Sequence, residues 1–142
     1  MKQRQLAGRQ ISEIGFGCMN INHGYSGKLT SQEADKLLRS AFDLGITHFD
    51  TAALYGFGSN EEIVGKGIKP FRSQIFLASK CGMTGVDGKR VIDGRPDTLN
   101  RTLDAALKRL KTDHIDLYYL HRIDQNVPVE ESVGALSRMV EA

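Results

Sequence analysis

A chain of 142 residues, 40% hydrophobic and 25% charged, has globular composition and the length of one domain, which argues against a disordered or fibrous protein. Its formal net charge of +2 arises from basic residues interleaved with acids along the predicted helices, so no stripe for nucleic-acid phosphates or anionic lipid is expected. The amino terminus is positive but has no apolar stretch behind it, and no run approaches bilayer-spanning length, so a soluble, cytoplasmic chain is expected. Cys18 and Cys81 form neither a CxxC nor a metal-spaced cluster; Cys81 follows Lys80, whose charge favours a thiolate, although a plain semi-buried thiol is the simpler expectation.

Gln3 to Leu6 and Arg9 to Glu13 flank Ala7-Gly8, which predicts a hairpin with a tight turn. Ile14 to Met19 reads as a strand whose two glycines permit close approach of a backbone or ligand. A loop over Asn20 to Lys28 leads to a helix, where Thr30 and Glu33 form a capping box and Ala34, Leu37, Leu38, Ala41 and Phe42 share a face before Gly45 ends it. The strand Ile46 to Asp50 comes next, then a loop holding Tyr55, then a second capping box at Ser59 and Glu62 that opens a short helix stopped by Pro70. Ile75 to Lys80 is another strand, followed by a glycine-spaced loop from Cys81 to Gly94. Pro96 opens a third helix with Leu99, Leu103, Ala106, Leu107 and Leu110 on one face. Strand Ile115 to Leu120 ends at His121, and Pro128 opens a fourth helix in which Val129, Val133, Leu136 and Val140 share a face.

Strands alternating with helices imply parallel strands joined by right-handed crossovers, in an open doubly wound sheet or a closed (β/α)8 barrel. The dinucleotide glycine pattern fails: Gly15 and Gly17 are followed by Asn20, and Gly56 and Gly58 by Glu61, where a third glycine belongs. A P-loop fails too, because Lys66 is followed by Gly67 and has Asn60 six residues earlier. The barrel is favoured. Its active site is built at the carboxyl ends of the strands, and here three consecutive strands end in Asp50, Lys80 and His121, with Tyr55 in the loop after Asp50.

GFGCM, DTAALYG with the following GSNEEIVGKGI, ASKCG, RTLDAALKRLKTDHIDLYYLH and ESVGALSRMVEA, in that order, resemble the aldo-keto reductases over almost the entire chain. The resemblance implies a (β/α)8 barrel of the TIM type, of which residues 1–142 supply the first four β/α units, a half barrel forming one incomplete domain with a short hairpin ahead of it. It implies a catalytic set of Asp50, Tyr55, Lys80 and His121, and NADPH, or NADH, bound without a Rossmann motif and without a metal. By the same resemblance Gly17, Cys18, Met19 and Asp50 lie against the nicotinamide ribose; Met19 stands where many relatives carry Trp, and either packs or touches substrate. The implied reaction is reduction of an aldehyde or ketone, or its reverse.

The chemistry suits these residue types. Hydride transfer to a carbonyl leaves an alkoxide that needs a proton, for which Tyr55 is the acid. Lys80 supplies a positive field, Asp50 keeps the ammonium charged and aimed, and a neutral His121 donates to the carbonyl oxygen. A full barrel takes about 250 residues. The family's second half carries the nicotinamide carboxamide contacts, the stacking aromatic, the basic site for the adenosine phosphate and the loop that shapes substrate choice. Exposed strand edges would then be covered by a second half barrel or by self-association. The alternative function is a non-catalytic half barrel acting as an assembly module.

Overall fold

The computed structural model describes residues 1–24 and 27–142. β1 (Gln3–Leu6) and β2 (Arg9–Ser12) pair antiparallel across Ala7 (φ 48°) and Gly8 (φ 75°), two left-handed residues as a tight hairpin turn requires. Arg9 pairs with Asp116, donates to the Ile75 carbonyl at 3.2 Å and lies over the Phe76 ring. Ser12 and Thr47 exchange two hydrogen bonds of 2.9 Å. The hairpin therefore lies across the amino-terminal ends of the later strands.

β3 (Gly15–Gly17) enters the main sheet, and the expected loop after it is described except at residues 25 and 26, which lie outside the described residues. α1 (Ser31–Asp43) has the expected capping box in both directions, buries Ala34, Leu38 and Ala41, and gives way at Gly45 (φ 91°). β4 (His48–Asp50) follows, then a tight 3₁₀ turn at Tyr55–Gly58, then α2 (Ser59–Ile68). The second capping box is not formed. Gly58, at φ 95°, is the residue before the helix, so Ser59 is already helical and its hydroxyl donates back to the Gly56 carbonyl at 2.7 Å.

β5 (Phe76–Cys81) runs into a second correction. The stretch expected as an open loop is a hairpin of β6 (Met83–Val86) and β7 (Lys89–Ile92), turned by Asp87 (φ 49°) and Gly88 (φ 74°). α3 (Pro96–Leu110) starts at its proline as expected and buries Leu99, Thr102, Ala106 and Leu110. β8 (Leu117–Leu120) and α4 (Val129–Glu141) complete the order. On α4 the expected face holds only at Leu136, which packs with Met139 beside the buried Ser132 and Ala135, whereas Val133 is 53% and Val140 88% exposed. The Ser132 hydroxyl donates to the Gly94 carbonyl at 2.7 Å, a close approach that only small residues allow.

β3, β4, β5 and β8 form one parallel sheet in that order, with Gly17 opposite Asp50, Asp50 opposite Ala78, Ala78 opposite Leu117 and Lys80 opposite Tyr119. Successive side chains alternate between faces. Phe49 and Leu77 point into a core with Leu38, Val64, Ile68, Phe71 and Leu110, all at most 1% exposed. The helices pack as sequence neighbours, α1 on α2, α2 on α3 and α3 on α4, in one layer. Asp50 and Lys80 lie on the opposite face of the sheet, which they share with Phe76 and Ala78. Asp116, its side chain 4% exposed, ties the far end by pairing with Arg9 and Arg72 and accepting the Leu77 N–H at 2.8 Å.

Candidate active site

The four candidate residues come from four segments and meet at one end of the sheet. Asp50 is the last residue of β4, Lys80 the penultimate residue of β5, and His121 follows β8 directly. Tyr55 begins the 3₁₀ turn after β4. The Lys80 ammonium contacts Asp50 Oδ1 at 2.5 Å and donates to the Thr51 carbonyl at 2.8 Å and to the Tyr55 hydroxyl oxygen at 3.3 Å. It also lies 4.9 Å from the centre of the Tyr55 ring. The His121 ring meets Tyr55 edge-on, centroids 5.9 Å apart and planes at 90°.

The ion pair is half-buried, with the side chains of Lys80 and Asp50 14% and 31% exposed, so water screens it only in part. Burial holds the His121 imidazole below the ordinary histidine pKa, and the charges of Lys80 and Arg122 push it the same way. It is a neutral ring at neutral pH, and its Nδ1 is buried with no partner among the described residues. A phenol that accepts from an ammonium, beside a neutral imidazole, can deliver a proton to an oxygen placed against both.

The candidate cofactor residues sit on the neighbouring strand end. Among the described residues nothing lies within 4 Å of the place a Cβ would occupy at Gly17, which pairs with Asp50. Cys18 offers only its backbone: its N–H donates to the Asp50 carbonyl at 2.8 Å, while the thiol is fully buried in the core and pushed far up in pKa by that burial. Met19 begins a short 3₁₀ turn and is partly buried. Cys81 is the plain buried thiol of the simpler expectation, pushed up to about 11 by desolvation, with no thiolate favoured by its neighbour Lys80. Among the described residues no cluster of three His, Cys, Asp or Glu is placed to hold a metal, and no helix is long and apolar enough to cross a membrane.

Sequence reasoning missed the residues that brace these strand ends. Asn60, fully buried in the first turn of α2, accepts from the Thr51 hydroxyl at 2.7 Å and donates to the Cys18 carbonyl at 2.9 Å and to Asn22 at 2.7 Å. Its neighbour Glu61, also fully buried, accepts from Ser79 at 2.6 Å and from Arg109 at 2.6 and 2.8 Å. The two side chains thus grip Thr51 and Ser79, the residues next to Asp50 and Lys80. Their sequence signal is weak, since an acidic first turn is ordinary helix chemistry. His23 was also missed; it stacks on Tyr55 with centroids 5.7 Å apart.

Known proteins share this arrangement of elements. The family description "Aldo/keto reductase family" matches residues 13–142. An aldo-keto reductase of Glycine max is 42% identical over 137 residues, covering 94% of this chain and 39% of its own length. An aldo-keto reductase of Schizosaccharomyces pombe, whose name carries NADP(+), is 40% identical over 143 residues, covering 98% of this chain and 42% of its own. The holo form of an aldo-keto reductase from Bacillus halodurans superposes with a TM-score of 0.89 at 35% identity, over 99% of this chain and 47% of that one. The chain spans about two-fifths of the length of these curated relatives, and its α/β fold with a parallel sheet is that of their TIM-barrel type. With the family pattern running through nearly all of its elements, the chain belongs to the aldo/keto reductase family.

Proposed function

We propose that the chain is the catalytic portion of an NAD(P)H-dependent oxidoreductase that reduces a small aldehyde or ketone to an alcohol, with Tyr55 as proton donor. One observation carries this: the Lys80 ammonium touches both the Asp50 carboxylate and the Tyr55 hydroxyl, while the His121 ring stands edge-on to the same phenol. Family membership supports the reaction class. The four parallel strands with one layer of helices support reading residues 1–142 as the first half of a (β/α)8 barrel, one incomplete domain whose edges another half barrel or a second copy covers.

Reduced nicotinamide, when bound, supplies the hydride to the carbonyl carbon. Gly17 and Asp50, with the backbone of Cys18 and Met19, would hold the nicotinamide ribose; a glycine with no described atom within 4 Å of its missing Cβ suits that role. NADPH is favoured over NADH by the name of the yeast relative. As the carbonyl π electrons move to oxygen, the Tyr55 hydroxyl gives that oxygen its proton, and the O–H electrons remain on the phenol oxygen. Lys80 stabilises the resulting phenolate from 3.3 Å, and water restores the proton. Asp50 holds the ammonium in place, and neutral His121 donates a hydrogen bond that orients the carbonyl.

A second reading, a non-catalytic assembly module, is favoured by the exposed Val133 and Val140 on α4. NADPH titration followed by nucleotide fluorescence, with light scattering for mass, separates the two. Binding with carbonyl reduction that Tyr55→Phe abolishes, while binding persists, is the result expected. Unchanged turnover in Tyr55→Phe rejects the tyrosine as acid, and a chain of any mass that binds no nucleotide leaves the module reading.

A further inference from the structure

Tyr55 opens a turn in which three consecutive residues, Gly56 (φ 55°), Phe57 (φ 51°) and Gly58 (φ 95°), adopt left-handed backbone conformations. Glycine does this freely, but a bulky aromatic residue does not. Burial does not explain Phe57, which is 50% exposed. Its ring instead lies directly on the backbone of Gly85 in β6: a Cβ added to Gly85 would stand 1.8 Å from Phe57 Cδ1. Glycine within a strand is itself locally unfavourable. Two locally poor choices, a left-handed Phe and a strand Gly, therefore meet in a single contact, which is the pattern of a site kept for geometry rather than stability. The Phe57 ring also meets His23 edge-on, centroids 6.5 Å apart, and His23 stacks on Tyr55. The Phe57 N–H closes the turn on the Leu54 carbonyl at 2.9 Å.

We propose that Phe57 is a positioning residue for Tyr55: wedged on Gly85, its ring holds the turn in its left-handed form and keeps the phenol over Lys80. The hairpin of β6 and β7 is then a buttress for the proton donor, acting through one ring. This inference rests on the reading of Tyr55 as the acid, and it makes Gly85 a position where a single methyl group dislodges the turn without touching any of the four candidate catalytic residues.

The chain contains four tyrosines and no tryptophan, so labelling with 3-fluorotyrosine gives few ¹⁹F resonances, and Tyr55→Phe identifies the one of interest. Recorded without nucleotide or substrate, Gly85→Ala is expected to shift or broaden the Tyr55 resonance while leaving the others in place. Phe57→Gly, which relieves the backbone and removes the ring, is expected to do the same, and Phe57→Leu, which can still cover Gly85, to restore it. With NADPH and an aromatic aldehyde, kcat is expected to fall at least tenfold in Gly85→Ala and Phe57→Gly with KM nearly unchanged. If Gly85→Ala does not fold, Phe57→Gly decides. A Tyr55 resonance unmoved in a folded Phe57→Gly chain overturns the proposal. Because the resonance is read without turnover, a chain that reduces no carbonyl refutes the reductase reading separately from the contact.

Discussion

Replacing Lys80 by Met removes the positive charge while keeping the length of the side chain, and the distances let the effect be estimated. An ammonium 3.3 Å from a phenolate oxygen stabilises it by about 5 kcal/mol at an effective dielectric of 20. The Asp50 carboxylate opposes this. With Asp50 Oδ1 2.5 Å from the ammonium, it lies within about 5.8 Å of the phenol oxygen, which makes the repulsion at least about 3 kcal/mol on the same scale. Lys80→Met alone leaves that repulsion unopposed, so its ceiling is about 5 kcal/mol, or some three to four powers of ten in kcat. The double variant Lys80→Met with Asp50→Asn removes both charges and loses only the difference, at most about 2 kcal/mol or roughly thirtyfold. Partial exposure of the pair lowers every figure but not their order. Carbonyl reduction followed by loss of NADPH absorbance should therefore show the double variant faster than Lys80→Met by on the order of a hundredfold. A double variant as slow as the single one, or slower, refutes the assignment of Lys80 to an electrostatic role opposed by Asp50.

Other outcomes follow from groups away from the phenol. His48 and His121 are both held below the ordinary histidine pKa, chiefly by burial, so between that value and their folded values the unfolded chain binds more protons. Stability should fall as pH drops below about 6.5, and urea midpoints at pH 7 and pH 5.5 should converge in His48→Gln with His121→Gln. Arg109→Ala leaves the fully buried Glu61 carboxyl with Ser79 as its one remaining partner among the described residues, a loss of about 3–5 kcal/mol in urea unfolding. Adding Glu61→Gln should recover part of that loss. Both thiols are buried and raised in pKa, so alkylation at pH 8 should modify neither Cys18 nor Cys81 until the chain is unfolded.

The positions of Asp50, Lys80 and His121 were legible because each ends an apolar run, and a strand's end is the one place where a polar residue after such a run has a fixed location. Hairpin β1–β2 was legible from Ala7-Gly8, yet the equivalent signal at Asp87-Gly88 was lost among the surrounding glycines and read as an open loop. On α4, hydrophobic periodicity selected Leu136 rightly and the valines wrongly, because the buried stripe is built on Ser132 and Ala135, whose value lies in smallness rather than apolarity. Ser59 and Glu62 matched a capping pattern, but the left-handed Gly58 moved the helix start by one residue. Asn60 and Glu61 escaped because a buried polar side chain is defined by partners far away in sequence: Asn60 reaches back 42 residues to Cys18, and Arg109 reaches back 48 to Glu61.

Asp116 gives the molecule a sense of time. The guanidinium of Arg9 finds its carboxylate 107 residues further along the chain, and Arg72 shares it. On a ribosome moving at about 5–20 residues per second, the hairpin of β1 and β2 emerges several seconds before the group that anchors it. Until then Arg9 has the Ile75 carbonyl and the Phe76 ring within its reach but not the Asp116 carboxylate. The ion pair is therefore a late event in the life of the nascent chain, added to a hairpin that Thr47 and Ile75 can already tether.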